Sequence, residues 1–493
     1  MLFLFTIALP GKPAAAQEEK VTVSLPDFKV QLNGLEIDNR YAQYPLLVYN
    51  NITYYPMTYY GSRYLGVETT WSEESGLGVH QNGVRWNWHA YKRYLPNNKS
   101  GIATINEGNV RVNNQLIDNS KEDYPLLSFR NVAYFPLTWR FAVDEFGWTY
   151  QYSPQDGLSI NSPGAIAANE ITLPIKKYDN GAGAFVKAGV YYYYEGERGD
   201  IWRAAVAAPE QTKKVYEVPI QDRTADGAAR YGYPQLKVEN GIVLLQYQQA
   251  DGAACYVQLF SDGSVEEIYQ GYGSLHCYED LFVLNDKNIA DGAGVLKIRA
   301  AQGGTFRQVG DAAYYSSQDR VCRAGTELLT IGGLGDKTEA KSAGIVAVNY
   351  KTGAVRQVTK KPVQDFTVDD GQIYFLDDAQ QLHRISVKGG TGTRLSSKAV
   401  SQFAVLNSTV CYAAAGDNGL YVLGGRECLN PGGIVADMDV QEDFFVINFS
   451  DAGSSAYKAM ILSRKGKVLF KTTEHTASMI IENGKVSFVK LQD

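Results

Sequence analysis

The chain has 493 residues, of which 45% are hydrophobic and 20% are charged, and its formal net charge is −6 at pH 7. This length is too great for one compact core and this composition is not that of a disordered chain, so two or more folded domains are expected. No long run of Lys or Arg occurs, which excludes nucleic acid as an expected partner. The 34 Tyr and 48 Gly are typical of many short strands joined by tight turns.

Residues 1–16 resemble a secretory signal peptide. Leu2 to Leu9 form a short apolar run, and Ala14 to Ala16 supply small residues ahead of Gln17, which suits cleavage after Ala16. We therefore expect a secreted, extracellular protein. No later segment reaches the roughly 18 apolar residues that a membrane span needs, so no span is expected.

Residues 28–80 and 109–161 are two copies of one unit. Tyr44-Pro-Leu-Leu recurs as Tyr124-Pro-Leu-Leu, at an offset of 80 that becomes 81 from Gly66 onward. Each copy predicts a hairpin, another strand pair, a helix and a final strand. The sequence thus predicts a duplicated small α+β module over residues 25–162.

Proline and glycine delimit the helix that is predicted in each copy. Pro56 and Pro136 suit the first turn of helices over 57–65 and 137–146. Gly66 and Gly147 suit the left-handed residue that follows a helix.

The segment between the copies is rich in aromatic residues and belongs to neither copy. Its candidate ligand-binding residues are Trp86, Trp88, Tyr91, Lys92, Arg93 and Tyr94. In an extended segment, Trp86 and Trp88 lie on one face, where their rings would stack on sugars. Lys92 and Arg93 would attract an anionic wall polymer. The alternative is that these rings pack in a core between the two copies.

Residues 165–493 carry a different repeat, with a turn followed by an apolar strand about every 42 residues. That period predicts a β-propeller with four-stranded blades. The last repeat is short, and the strand near Ile171 would complete it, which gives seven or eight blades. A β-solenoid or a sandwich fits the turn lengths and the repeat number less well.

The motif shared by the two copies resembles the copper amine oxidase N-terminal-like domain. In the first copy the resemblance is carried by Val30, Asn33, Gly34, Pro45, Leu46, Ile52, Tyr54, Pro56, Leu65, Gly66 and Trp71. The second copy has Phe146 at the Leu position and Tyr152 at the Trp position. This resemblance implies a secreted protein of a Gram-positive bacterium. The second half resembles the propeller-like domain of unknown function that is often found behind that module, for which no active site is established.

Amine oxidases build a quinone cofactor on Tyr within Asn-Tyr-(Asp/Glu) and hold copper with three histidines. Here Asn349-Tyr350 is followed by Lys351, and the five histidines are scattered along the sequence: His80, His89, His276, His383 and His475. Copper needs clustered imidazoles. Amine oxidase activity, a metal site and a cofactor are therefore not expected.

No catalytic motif of a common hydrolase or nucleotide-binding enzyme occurs. The pairs Asp369–Asp370 and Asp377–Asp378 flank one apolar strand, where carboxylates would serve acid–base chemistry or form turns. The five cysteines lack metal-binding spacing, so free thiols are expected.

The favoured hypothesis is an extracellular or cell-surface protein with a non-catalytic binding or scaffolding role. Its expected partner is cell-wall polysaccharide or another surface protein. The alternative is a carbohydrate-active hydrolase or lyase that uses carboxylates of the propeller, and a third reading is a purely structural wall component.

Overall fold

The structure is a computed structural model that describes residues 19–163, 168–178, 181–219, 234–249, 251–287, 294–311, 313–316, 320–335, 343–450, 452–454, 457–473, 478–482 and 485–491. The signal-peptide-like segment lies outside the described residues. The chain divides into two compact units, Met1–Ala167 and Ala168–Asp493. This division falls close to the start at residue 165 that the sequence predicts for the second part.

The first unit is built from short strands and three short helical segments. Its strands are β1 Lys20–Ser24, β2 Val30–Leu32, β3 Leu35–Glu36, β4 Leu47–Tyr49, β5 Ile52–Pro56, β6 Val67–Ser72, β7 Gly76–Gln81, β8 Arg85–Trp86, β9 Ser100–Ile105, β10 Val110–Val112, β11 Gln115–Leu116, β12 Leu127–Phe129, β13 Val132–Pro136, β14 Thr149–Ser153 and β15 Gly157–Asn161. Its helical segments are α1 Tyr59–Tyr64, a 3₁₀ turn Asn119–Lys121 and a π-helix Trp139–Glu145.

Six strands of this unit close into a barrel in the order β1-β4-β5-β13-β12-β9. Tyr55 of β5 lies opposite Phe135 of β13, which is the residue at the same position in the other sequence copy. Two four-stranded sheets accompany the barrel, β11-β10-β7-β6 and β14-β15-β2-β3. In each sheet the hairpin of one copy pairs in parallel with a strand of the other: Val30 with Leu158, and Val110 with Leu77. Neither hairpin thus completes its sheet within its own copy.

The prediction that proline begins each helix is wrong. Pro56 and Pro136 are the last residues of β5 and β13 and lie opposite Tyr134 and Tyr54. The N–H of Met57 donates to Ala133 O at 2.9 Å, so the nitrogen of Pro56 points toward the β4 side, where the β4–β5 pairing already ends at Leu47 and Tyr54. The helices begin later, at Tyr59 and Trp139.

The predicted glycines occupy left-handed backbone positions after both helical segments, with φ of 74° at Gly66 and 66° at Gly147. Trp148 follows directly and is fully buried in the core that the barrel shares with both side sheets. Its Nε1 donates to Leu65 O at 2.9 Å, and its ring meets Tyr55 edge-on at 5.5 Å. One side chain of the second copy thereby caps the end of the first copy's helix.

The second unit opens with strands β16 Ala168–Leu173, β17 Lys177–Tyr178 and β18 Gly181–Ala182, and continues as successive antiparallel sheets. Sheet 1 comprises β19 Phe185–Ala188, β20 Tyr191–Glu195, β21 Ile201–Ala205 and β22 Ala208–Tyr216; sheet 2, β23 Gln235–Glu239, β24 Ile242–Gln248, β25 Ala254–Leu259 and β26 Val265–Gly271; sheet 3, β27 Ser274–Tyr278, β28 Leu281–Lys287, β29 Gly294–Ala300 and β30 Arg307–Gln308. Strand β31 Ala313–Tyr315 joins sheet 3 to sheet 4, which comprises β32 Val321–Ala324, β33 Glu327–Leu334, β34 Gly344–Asn349 and β35 Val355–Thr359.

Sheet 5 comprises β36 Asp365–Asp369, β37 Gln372–Leu376, β38 Leu382–Ser386 and β39 Thr393–Arg394; sheet 6, β40 Val400–Leu406, β41 Thr409–Ala414 and β42 Leu420–Val422; sheet 7, β43 Ile434–Gln441, β44 Phe444–Ser450, β45 Ala459–Ser463 and β46 Val468–Thr472. Sheet 8 comprises β47 Ser478–Glu482 and β48 Lys485–Leu491, with β16 as its third strand.

Successive sheets from sheet 1 to sheet 7 share hydrophobic clusters, and sheet 8 shares one with sheet 1. The run Tyr191 to Tyr194 illustrates this: Tyr193 packs toward sheet 2, while Tyr192 and Tyr194 pack with Leu173 and Val489 of sheet 8. Consecutive tyrosines are buried because both faces of their strand are covered. Stacked meanders of this kind are typical of propeller blades.

Sheet 8 takes its third strand from the start of the unit. Strand β16, which contains Ile171, pairs in parallel with β48, and Ile171 lies opposite Val489. Lys187 of sheet 1 also forms an ion pair with Glu482 of sheet 8. These contacts join the last sheet of the unit to the first.

The prediction of a mainly β chain is confirmed. Across the described part of the chain, no helix is both long and apolar enough to cross a membrane. The five cysteines are free; Cys255, Cys277 and Cys411 are buried, whereas Cys322 and Cys428 are partly exposed.

We expect Trp148→Ala to lower the free energy of unfolding of the first unit by about 3–5 kcal/mol, since it leaves a cavity and an unpaired Leu65 carbonyl. Trp71→Ala is the matched control, because Trp71 is 70% exposed and its removal should cost less than about 0.5 kcal/mol. Urea denaturation of both variants measures the difference. Equal losses would contradict the role assigned to Trp148.

Candidate functional site

The segment between the two copies runs alongside residues 41–43 of the first copy. Ala42 and Lys92 form an antiparallel bridge, Gln43 N donates to Tyr91 O at 2.7 Å, and Arg93 N donates to Tyr41 O at 2.8 Å. These backbone contacts fix the position of the inserted aromatic side chains against the first copy.

The insert contributes rings to one continuous aromatic cluster with residues of the first copy. Tyr91 meets Tyr44 edge-on at 5.4 Å and lies 5.9 Å from Tyr60. Tyr60 in turn lies 4.6 Å from His89 and 5.1 Å from Tyr59. We call Tyr44, Tyr59, Tyr60, His89 and Tyr91 the aromatic surface, because each of the five keeps part of its side chain in contact with solvent.

The assignment of Trp86 to an exposed ligand-stacking face is wrong. Trp86 is only 4% exposed, and its ring lies 5.6 Å from Tyr59 and 6.4 Å from Tyr60. The guanidinium of Arg63 lies 3.8 Å from the Tyr59 ring and 5.3 Å from the Trp86 ring. Because the indole is buried and its ring contacts Tyr59 and Tyr60, Trp86 belongs to the packing of the cluster and not to its exposed face.

Trp88 is partly buried and packs against the core of the first unit, with its ring 5.2 Å from Tyr64. Tyr91 is half-buried; burial raises the pKa of its hydroxyl, which accepts a hydrogen bond from Tyr60 N at 3.4 Å. Lys92 is exposed, and Tyr94 is fully exposed and makes no ring contact with the surface. The structure thus brings Tyr91 into the surface and leaves Tyr94 outside it.

Arg93 is partly buried and contacts a residue that the sequence did not single out. Its Nη1 donates to Asn97 Oδ1 at 2.6 Å, and the same oxygen accepts from Arg130 Nη2 at 2.9 Å. Asn97 is held by its own amide, which donates to Asn39 O at 3.0 Å and to Ala42 O at 2.7 Å.

Sequence reasoning missed Tyr44, Tyr59, Tyr60, Arg63 and Arg130, because all five lie within the repeat copies. One signal was available for Tyr59: the second copy also has an aromatic residue there, Trp139, and both are exposed.

The carboxylates that the sequence offered for catalysis bind backbone and neighbouring side chains instead. Asp369 Oδ2 accepts from Ser408 N at 2.7 Å, which ties sheet 5 to the first turn of sheet 6. Asp370 takes a left-handed conformation, φ 43°, in the turn before Gly371. These are the contacts of turn-forming residues.

Asp377 is buried and has four polar partners. Its Oδ1 accepts from Ala379 N at 3.1 Å and Gln381 N at 2.8 Å, and its Oδ2 contacts Lys361 Nζ at 2.7 Å and His383 Nε2 at 2.8 Å. Burial alone would raise the pKa of Asp377, but the hydrogen bonds from Lys361, Gln381 and His383 more than offset it and lower that pKa to about 2. A carboxylate held ionised in this way is a poor general acid at neutral pH.

The residues present do not fit a copper site. His80 and His89 lie in the first unit, His276 and His383 lie in sheets 3 and 5 of the second, and His475 lies outside the described residues. Among the described residues, no three His, Cys, Asp or Glu side chains converge as ligands of one ion.

No family model matches this sequence, and no curated protein matches it. Among solved structures, a computationally designed Ika8 protein is 12% identical, with 64% of this chain and 98% of that chain covered and a TM-score of 0.42. A prolyl endopeptidase is 12% identical, and this chain spans about half of it (58% and 48% covered, TM-score 0.42). BamB from Moraxella catarrhalis is 11% identical (63% and 91% covered, TM-score 0.37). Since these TM-scores lie below 0.5, the likenesses support no functional argument.

Because the pKa of Asp377 is lowered, its charge stabilises the fold above the ordinary carboxyl pKa near 4, and this contribution is lost as the pH falls toward 2. We expect Asp377→Asn to lower the free energy of unfolding by about 2 kcal/mol at pH 7, with the difference from the parent shrinking below pH 4. Urea titrations at several pH values measure this dependence. Asp378→Asn, which changes an exposed neighbour, is the control; the same loss in both variants would contradict the assignment.

Proposed function

We propose that this protein is a secreted, cell-surface binding protein of a Gram-positive bacterium that holds cell-wall polysaccharide and performs no catalysis on it. Its first unit is a duplicated module of the copper amine oxidase N-terminal-like kind. Its second unit is an eight-bladed β-propeller that acts as a scaffold.

Matched contacts support the duplication. Asn33 Nδ2 donates to Tyr64 O at 3.2 Å, and Asn113 Nδ2 donates to Glu145 O at 3.0 Å. In the same way, Asn39 Oδ1 accepts from Leu46 N at 2.9 Å, and its counterpart Asn119 accepts from Leu126 N at 2.6 Å. Two segments that descend from one ancestor would be expected to keep the same side-chain-to-backbone bonds in the same places.

The sheet order of the second unit supports eight blades. Sheets 1 to 7 each form a meander of three or four strands, and sheet 8 combines β47 and β48 with β16 from the start of the unit. A propeller closed by a strand from its own beginning leaves no blade edge unpaired at the junction, which is the usual reason for such sharing.

The observation that carries the binding role is the aromatic surface. All five residues of the aromatic surface are at least partly exposed to solvent, and Tyr59 is 49% exposed. Contiguous exposed aromatic groups are unfavourable in water, and they mark binding sites in soluble proteins. Tyrosine and histidine rings suit sugars, because a sugar ring presents C–H groups to a flat aromatic face while its hydroxyls remain solvated.

The roles of Asp369 and Asp377 weigh against the hydrolase or lyase alternative. Asp369 accepts a hydrogen bond from Ser408 N of the neighbouring sheet. Asp377 is held ionised by its hydrogen bonds, with a pKa of about 2. A glycosidase acid needs a raised pKa. The contacts of Asp369 and Asp377 therefore favour a scaffolding role over a catalytic one.

We expect Tyr59→Ala/His89→Ala to weaken binding to purified Gram-positive cell-wall material at least tenfold. Each exposed ring contributes about 1 kcal/mol when it stacks on a sugar. Sedimentation of the protein with insoluble wall material, at graded concentrations, measures the change.

Trp139→Ala is the matched control, since Trp139 occupies the position of Tyr59 in the second copy, is 66% exposed, and is not part of the aromatic surface. Its binding should equal that of the parent protein. A parent protein that does not sediment with the wall, or a double variant that binds as the parent does, would overturn the proposal.

A further inference from the structure

The arginine pair beside the aromatic surface is not neutralised by the protein. Arg93 and Arg130 both donate to the single oxygen Asn97 Oδ1, at 2.6 and 2.9 Å. Arg130 Nη1 also donates to Gln43 O at 2.5 Å. Within the described part of the chain, no carboxylate lies at ion-pair distance from either guanidinium; every acceptor is neutral.

Two cations that converge on one neutral acceptor repel each other. The pKa of Arg130 is lowered, first by partial burial and then by the charge of Arg93. By contrast, the buried Arg299 meets a carboxylate, Glu266, at 2.6 Å. An anion placed between Arg93 and Arg130 would relieve this repulsion, and each guanidinium retains donors in the planar arrangement that suits oxyanions.

Arg130 adopts its position at a conformational cost. It lies in the two-residue turn between β12 and β13 with φ of 52°, in the left-handed region that favours Gly or Asn. The matching turn of the first copy has Asn50 at this position, with φ of 47°. An arginine where asparagine is the better turn former is an outlier that a role for the guanidinium would explain.

The neighbouring groups extend the positive charge toward the aromatic surface. Lys92 is exposed and precedes Arg93 directly, and Tyr91 of the aromatic surface precedes Lys92. The arginine pair adjoins the aromatic surface through Gln43, whose carbonyl accepts from Arg130 and whose side-chain amide donates to the Tyr44 hydroxyl at 3.1 Å.

We infer that Arg93 and Arg130 form an oxyanion subsite and that the ligand of the aromatic surface is an anionic glycan polymer. Its sugar rings stack on the aromatic surface, and its phosphodiester or carboxylate groups bind between the two guanidinium groups. This inference rests on the proposed glycan-binding function and specifies the class of its ligand.

The test uses Arg93→Gln/Arg130→Asn in the full chain. The introduced glutamine would keep a donor for Asn97, and the introduced asparagine copies the turn of the first copy, so the melting temperature should not fall. Arg111→Gln is the control, because Arg111 is exposed on β10 and has no side-chain partner among the described residues. Calorimetric titrations with poly(glycerol phosphate), polygalacturonate and neutral dextran give the affinities.

We expect the parent and Arg111→Gln to bind at least one anionic polymer at least tenfold more tightly than dextran, with an affinity that falls as salt is raised. The double arginine variant should lose this preference and most of the salt dependence. The two anionic polymers distinguish a phosphodiester ligand from a carboxylate ligand.

An unchanged anionic preference in the double variant, or a parent that binds dextran as tightly as both anionic polymers, overturns the oxyanion subsite. If the parent then still binds wall material through Tyr59 and His89, the proposed function stands without the subsite. If it binds neither wall material nor any polymer, both proposals fail.

Discussion

Pairing between strands that are far apart in the sequence is the constraint on which both units depend. A two-stranded hairpin is marginal in water, and an open sheet edge leaves N–H and C=O groups unpaired. In the first unit, β2 and β10 meet this requirement by pairing with strands of the opposite copy. In the second unit, β16 meets it by pairing with β48. The aromatic surface depends on the strand pairing between the two copies, because the copy that carries Tyr59 and Tyr60 is completed by strands of the other copy.

Sequence reasoning located the repeats because repetition leaves direct evidence in the residues. The offset of 80 and then 81 placed Asn33 with Asn113, and Gly66 with Gly147, before any contact was known. It failed at Pro56, because a proline after an apolar run is equally compatible with a helix start and with a strand end. The outcome depends on whether β4 and β13 pair with this segment, and this is a tertiary property.

The candidate site was only partly predictable for a similar reason. The insert was recognisable by composition, but alternation along an extended segment cannot distinguish an exposed face from one covered by another element. Arg63 and helix α1 cover Trp86, whereas Tyr91 meets Tyr44 and Tyr60 at the surface. Arg130 lies 37 residues beyond Arg93 in sequence, and only the folded β12–β13 turn brings it to Asn97. The local pattern therefore identified Tyr91 and Arg93, whereas the other residues of the site come together only in the folded unit.

The parallel pairing of β16 with β48 has a consequence for how the second unit is made. Its first strand leaves the ribosome roughly 300 residues before the strand with which it pairs. Until then sheet 1 has one face uncovered, and the apolar groups of Tyr192 and Tyr194 have no sheet 8 to pack against. Folding that depends on so distant a contact is slow. Until the contact forms, unpaired strand edges and apolar side chains are exposed and can associate with other chains. The second unit can therefore complete sheet 8 only after β48 has been synthesised.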